Sequence, residues 1–440
     1  MPFPLLALPV MPAWAHQLAG ILPLTALIEF IDVAMKLHTF ELYGSVPLWN
    51  WPITPAGARL LLSTENTSDA CCLDRSNRCE MSLHCIDGRH GDWYPSSAPT
   101  TTRLCVSTCK VDVIVRNKSQ NISDERGRKQ RLEFFSIALS QPVARSATVS
   151  QPYVAAKRAL WLACSLRYLL LSTLGWLCWV GAAALSLTAG LYVAATYLTL
   201  MPVTGYIVSF THGGKPRRLL DVRPCNFTRV VIATSSLNAP EWWAFYGGSS
   251  YLNSLLNKPL YRAHDRTVSP LLRVATRGVV ISQWAVAVVS CAQQDGNALV
   301  IAFWLFICAI TSAYIYPPEK CVVDWLRHNN LVIRRIQTTF SSRRAMLSAL
   351  VYLNPDTRER RLGWINPILA DGQDRREWES ALMGLIETGS CVDPRSKTQY
   401  WWKFIEEGLD IGRRIEILLH QNMGNNDGGT NITTSGSTPC

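Results

Sequence analysis

The longest pattern in the chain is apolar. From Ala159 to Phe210, 52 residues carry a single charge, Arg167. An α-helix rises about 1.5 Å per residue, so crossing a hydrocarbon core about 30 Å thick takes about 20 residues. The run is too long for one crossing. It predicts two helices, at 163–185 and 189–210, with the turn where Ser, Thr and Gly interrupt the pattern near Ser186–Gly190. Trp161, Trp176, Trp179, Tyr197 and Tyr206 fall near the expected interfaces, and Arg167 can snorkel to the headgroups. A second apolar block, 279–316, breaks at Gln293-Gln294-Asp295-Gly296-Asn297. It predicts another pair, 279–292 and 298–316, whose short first member spans only if its helix starts near Leu272. Residues 1–36 form a third apolar stretch. Prolines at 2, 4, 9, 12 and 23, with Glu29 and Asp32, restrict it to a span or interfacial helix at about 13–35.

After Pro317-Pro318 the period changes to that of amphipathic helices. Met346, Leu347, Leu350 and Val351 follow a Ser341/Ser342 cap; Trp378, Leu382, Leu385 and Ile386 follow Asp371 or Asp374; Trp402, Ile405, Leu409, Ile415 and Leu418 lie within 398–420. The Gly/Asn/Ser/Thr-rich stretch 422–440 predicts a disordered tail. The expected fold is mainly α: a polytopic α-helical membrane protein with two helical hairpins, 159–210 and 279–316, and a C-terminal cytosolic helical region, 317–421.

Composition supports this class. Only 17% of residues are charged, against about 25% in ordinary soluble domains. The net charge is +11, and its distribution matters more than its size. Residues 1–115 hold 7 Lys+Arg and 10 Asp+Glu; 116–158 hold 9 and 3; 211–278 hold 10 and 3; 317–421 hold 16 and 14. The basic excess flanks the apolar blocks. It reads as juxtamembrane charge facing anionic headgroups and places 116–158, 211–278 and 317–440 in the cytosol, in the plasma membrane or an endomembrane. No groove-reading or base-stacking motif accompanies it, which argues against nucleic acid as a partner.

One stretch conflicts with that topology. Within 37–115, an acidic region expected to be poorly ordered or disulfide-bonded, lie Cys71, Cys72, Cys79, Cys85, Cys105 and Cys109. An even cluster of this kind reads as disulfides in an oxidising compartment. Asn66, Asn117 and Asn121 open N-x-S/T sequons and add candidate glycosylation sites on the same side. Yet no apolar run separates Cys109 from the basic segment 116–158. Zinc is a poor alternative, since the cysteine spacings match no common finger even with His84 and His90; a lineage-specific insert is the third reading. The Lys/Arg asymmetry outweighs the sequons, because Asn226 and Asn431 satisfy the same pattern on stretches placed in the cytosol.

The loop 211–278 is the densest in candidate chemistry. His212-Gly213-Gly214-Lys215-Pro216-Arg217-Arg218 breaks the preceding helix beside the headgroups. Ser235 or Ser236, with Asn238 and Pro240, predicts the start of an interfacial helix carrying Glu241 in its first turn and then Trp242, Trp243, Phe245 and Tyr246. The aromatics read as anchors on the bilayer or on the C-terminal region. A ligand pocket built from Asn238, Glu241, Trp242, Trp243, Asn253 and Asn257 is the sharper alternative. Catalytic templates fail: Gly247-Gly248-Ser249-Ser250-Tyr251 lacks the closing Gly of a nucleophile elbow, and Gly214-Lys215 continues with Pro where a phosphate loop has Ser or Thr. No metal or cofactor motif is present, so no cofactor is expected and the reading leans away from an enzyme.

From the basic flank onward, LLLSTLGWLCWVGAAALSLTAGLYVAATYLTLMPVTGY (169–206), THGGKPRRLL (211–220), SLNAPEWWAFYGGSSYLNSLLNKPLYR (236–262), SSRRAMLSALVYLNPDT (341–357), WINPILADGQDRREWESAL (364–382) and YWWKFIEEGLDIGRRIE (400–416) resemble a group of fungal multi-pass membrane proteins of unassigned activity. The resemblance covers about 155–420, leaves out the cysteine-rich stretch and transfers no site residue. The expected function is a non-enzymatic membrane anchor or scaffold that meets protein partners, or a second copy, through 317–421. An oligomeric transporter or channel is the first alternative, and an interfacial enzyme using 211–278 the second. Transport would call for ionisable groups or broken helices inside the apolar blocks, and Gln283 is the one polar candidate there away from a helix end.

Overall fold

The computed structural model describes residues 11–24, 32–43, 47–62, 71–76, 82–115, 129–139, 166–212, 219, 225, 227–257, 270–315, 317–357, 362–388 and 398–424. Its elements, in chain order, begin with α1 (Ala13–Ala19), α2 (Val33–Tyr43), α3 (Pro55–Leu62) and α4 (Cys72–Ser76). There follow β1 (His84–Asp87), β2 (Trp93–Pro95), α5 (Pro99–Ser107), β3 (Val111–Val115) and β4 (Gln130–Leu139). The first long hairpin is α6 (Leu166–Thr188) and α7 (Tyr192–His212). Then come β5 (Thr228–Thr234), β6 (Glu241–Gly248) and α8 (Ser249–Asn257), and the second hairpin, α9 (Pro270–Gln293) and α10 (Gly296–Ile310). The remainder is α11 (Pro318–His328), β7 (Leu331–Phe340), α12 (Arg343–Leu353), α13 (Gln373–Thr388) and α14 (Trp402–Gly424).

The fold is mainly helical, and among the described residues four helices, α6, α7, α9 and α10, are long and apolar enough to cross a membrane. Helix α9 starts at Pro270, so its first member reaches full length by including Arg273 and Arg277. Both hairpin turns use a left-handed residue, Gly190 (φ 75°) and Gln294 (φ 50°). Asp295 caps α10 by accepting from the Asn297 N–H (2.9 Å), and Asn297 Oδ1 accepts from the Ala194 N–H (3.0 Å). That bond ties the two turns together at one end of the bundle.

The mainly helical expectation omits one element of the fold: among the described residues seven strands form a mixed sheet in the order β2-β1-β5-β6-β4-β7-β3. Strand β4 runs parallel to β6 and antiparallel to β7, and β3 joins the edge parallel to β7. The sheet thus takes β4 from before the first hairpin, β5 and β6 from between the hairpins, and β7 from after the second. The segment 236–246, read as a helix start, is a turn and strand β6. Its aromatics alternate: Trp242 and Ala244 face one side, Trp243 and Phe245 the other, which suits a strand buried on both faces. Region 317–421 is likewise not all helix, because β7 is central to the sheet.

Helices α12, α13 and α14 cover one face of the sheet, around Leu132, Phe134, Trp242 and Ile336. Ser342 Oγ accepts from the Ala345 N–H (3.2 Å) and caps α12. The other face packs Phe135, Val231 and Phe245 against α5, α8 and α11. Helix α2 bridges the two halves of the molecule: Val33, Leu37 and Phe40 enter the core of the long hairpins, while Leu42 enters the sheet's second core.

The cysteine-rich stretch is not a separate module. Its described part supplies β1, β2, β3 and the helices α4 and α5 to this unit, and Cys85 and Cys105 sit in its core. Cys85, Cys105 and Cys109 are thiols, and Cys72 Sγ donates to Glu41 Oε1 (3.2 Å). Burial pushes the Cys85 and Cys105 thiols up to about 12. They behave as small apolar core residues. Cys79, Asn66, Asn117 and Asn121 lie outside the described residues, as does the tail beyond Gly424.

Candidate functional site

The six loop residues singled out from the sequence do not converge. Asn238 is exposed in the β5–β6 turn, and Glu241, at the start of β6, reaches Arg131 (3.7 Å) from an exposed position. Trp242 is buried, and its indole N–H is shared by Gln130 Oε1 and the Ala239 carbonyl (3.0 Å each). Trp243 stands edge-on to Phe135 (centroids 6.2 Å) across the opposite face. Asn253 lies beyond the far end of β6, where it accepts from Arg229, whose guanidinium also pairs with buried Asp87 (3.0 Å). Asn257 offers its carbonyl to Ser97. These contacts join the sheet to its helices; they do not line a common pocket.

The unusual chemistry is in the helical bundle. Between α2 and α3 the chain runs as Trp49-Asn50-Trp51-Pro52-Ile53-Thr54 without regular structure, and Trp49, Trp51 and Ile53 are almost fully buried. Its neighbours fix its depth. The Ile53 N–H donates to Gln283 Oε1 (3.1 Å), and Gln283 Nε2 donates to the Trp51 carbonyl (3.1 Å) and to Thr204 Oγ1 (2.6 Å). Trp284 Nε1 donates to the Ile53 carbonyl (3.0 Å). Gln283 is roughly half-way along α9, about 15 Å from its far end at 1.5 Å per residue. A buried non-helical backbone needs partners for its polar groups; one glutamine side chain supplies two of those bonds, and its third ties the site to Thr204 of α7.

The segment fits because two helices lack side chains where it passes. A Cβ at Gly175 of α6 would overlap the Trp49 indole, and one at Gly205 of α7 would meet the Leu48 carbonyl and Trp51. Trp49 packs edge-on against Trp304 of α10 (5.8 Å). The chain then returns through α3, whose Ala58 packs with Ile53 and Val280 of α9. The segment therefore enters the bundle from α2, reaches mid-length and comes back out.

Beside it lies Lys36 of α2, 6% exposed. Its Nζ donates to Asn50 Oδ1 (2.7 Å) and sits 5.2 Å from the Trp51 ring centroid. Asn50 Nδ2 in turn donates to the Cys308 carbonyl (3.2 Å) and approaches Ser312 Oγ (3.5 Å). Ser312 belongs to a π-helical turn, Thr311–Ile315, that continues α10. Such turns are frequent at functional sites. The Trp49, Trp51 and Trp304 indole N–H groups and the Tyr197 hydroxyl are buried nearby without hydrogen-bond partners.

A second buried group, one turn along α2, pairs Glu41 with the Cys72 N–H (3.1 Å) and thiol, with His38 Nδ1 3.9 Å away. The thiol bonds the carboxylate and not the imidazole, so this is not the nucleophile–base geometry of a thiol enzyme. Among the described residues no cluster of three or more His, Cys, Asp or Glu is arranged to hold a metal.

Sequence reasoning flagged Gln283 but missed Lys36, Asn50 and Thr204. The available signal was a lone lysine in an apolar stretch followed by Trp-Asn-Trp-Pro, which a search for helix-length apolar runs passes over. Comparison with known family models, curated proteins and solved structures returns no match.

Proposed function

We propose that this chain is an integral membrane protein in which two helical hairpins anchor an α/β domain on one face of a bilayer, and that it serves there as a non-enzymatic scaffold. The observation that carries the reading is the sheet. Strands from before, between and after the hairpins can pair only on one side of a membrane, so each hairpin must cross and return. The Lys/Arg excess of the flanking segments favours the cytosolic side, and those segments would meet anionic headgroups. The resemblance to fungal multi-pass proteins implies the same class.

The amino-terminal arm extends this topology. His16 Nδ1 bonds the Gln294 carbonyl (2.6 Å) at the far turn of the second hairpin, whereas Leu42 packs in the core beneath the sheet. Described residues of this arm thus lie at both ends of the bundle, which supports a fifth crossing. Trp14, Leu18 and Ile21, all exposed, would then rest at the opposite interface.

A carrier or channel is the second reading. It is favoured by Lys36 and the non-helical segment, since buried ionisable groups and broken helices mark pathways through membranes. Two experiments test these proposals. Alkaline carbonate, which strips peripheral proteins, should leave the chain in the membrane pellet; its release contradicts the membrane reading. In reconstituted liposomes the scaffold reading expects no solute flux above protein-free controls, and a saturable flux would overturn it in favour of transport.

A further inference from the structure

Three cations are buried among the described residues: Lys36, Arg229 and Arg375. Arg229 pairs with Asp87 (3.0 Å) and Arg375 with Glu379 (2.7 Å). Among the described residues no carboxylate pairs with Lys36. An ammonium carries three donors, and Asn50 Oδ1 takes one of them. The Trp51 indole N–H beside it lacks an acceptor, and the Tyr197 hydroxyl in the same core lacks a partner. A buried charge is ordinarily paired or bound to a ligand, and here the missing partner is an acceptor with one negative charge.

We propose that Lys36 anchors a binding site for a monoanionic carboxylate inside the bundle, with Asn50 positioning the ammonium and the aromatic wall of Trp49, Trp51 and Trp304 enclosing the ligand's apolar part. A single cation matches a single charge. A phosphate dianion would call for a second cation or a guanidinium fork, and among the described residues neither is placed at Lys36. The carboxylate could come from a fatty acid in the bilayer or from a soluble organic acid; the chemistry is shared and the test separates the sources. This goes beyond an anchoring role.

The full chain is placed in nanodiscs of neutral phosphatidylcholine and titrated with oleate, or separately with benzoate, while tryptophan fluorescence and the thermal midpoint are followed. At least one probe should give a saturable change in both, with half-saturation at least tenfold weaker in Lys36→Met. A response to oleate alone assigns a lipid source, and one to benzoate alone a soluble source. Asn50→Asp keeps the shape and supplies an internal countercharge. It should raise the midpoint without any probe and abolish the response. No saturable response to either probe overturns the site, as does a response unchanged in Asn50→Asp or in a folded Lys36→Met.

Discussion

Gln283 shows how one side chain determines what its neighbourhood can hold. Its amide serves the Ile53 N–H, the Trp51 carbonyl and Thr204 together. Gln283→Leu keeps the volume but strands these groups, and should cost about 2–4 kcal/mol, read as a lower unfolding midpoint in detergent. Gly205 makes the same point sterically. In Gly205→Ala the methyl meets the Leu48 backbone carbonyl, which cannot rotate away, so a loss of about 1–3 kcal/mol is expected, although alanine is the better helix former. The buried thiols give a pH signature. With Cys85 and Cys105 raised to about 12 from 9.0, the unfolded chain ionises first. Their contribution is complete below about pH 9 and declines as pH rises toward 12. Unfolding midpoints measured from pH 7 to 10 should fall at the alkaline end, and less steeply in Cys85→Ala. Sequence marks Gln283 only as a lone polar group in an apolar run and leaves the glycines unmarked; what each does is set by a partner from another part of the chain.

At the scale of elements, the long helices were legible because their apolar runs are continuous and longer than any strand. The amphipathic C-terminal helices were legible through caps such as Ser342 and spacing such as Ile405, Leu409 and Ile415. The strands were not. Strand β5 is a short apolar run and β6 an aromatic one, and both are buried on two faces, so neither alternates in polarity. Pro240 and Glu241 before Trp242 imitate a helix start; the pairing of β6 with β4 and β5 overrides that local preference. The packing of α14 on α12 yields a prediction at this scale. Gly408 faces the Ala345 carbonyl and Ser348 at a distance that leaves no room for a methyl. Gly408→Ala should therefore destabilise the domain by about 1–3 kcal/mol, where an exposed helix would gain up to about 1 kcal/mol. Thermal unfolding of the variant gives the sign directly.

The whole molecule turns on connectivity. A reading by segments treats 116–158, 211–278 and 317–421 as separate loops and tails, and it can compare only their charge. The sheet joins them, and it also includes β1, which carries Cys85, so the cysteine-rich stretch shares their compartment. Which compartment it is still depends on the Lys/Arg asymmetry. The candidate site at Lys36 was out of reach for a related reason: it forms where α2, an irregular segment and three long helices meet, and no window along the chain contains it.

The most direct test of this account is an epitope-accessibility map in sealed vesicles. A short epitope is inserted singly at three exposed positions: Asp92 in the β1–β2 turn, Asn238 in the β5–β6 turn and Gln399 before α14. These lie before the first hairpin, between the hairpins and after the second. The account predicts that all three are cleaved by added protease, or all three protected, according to vesicle orientation. If Asn238 reports the side opposite to Asp92 and Gln399, the sheet cannot form across the membrane and the central claim fails.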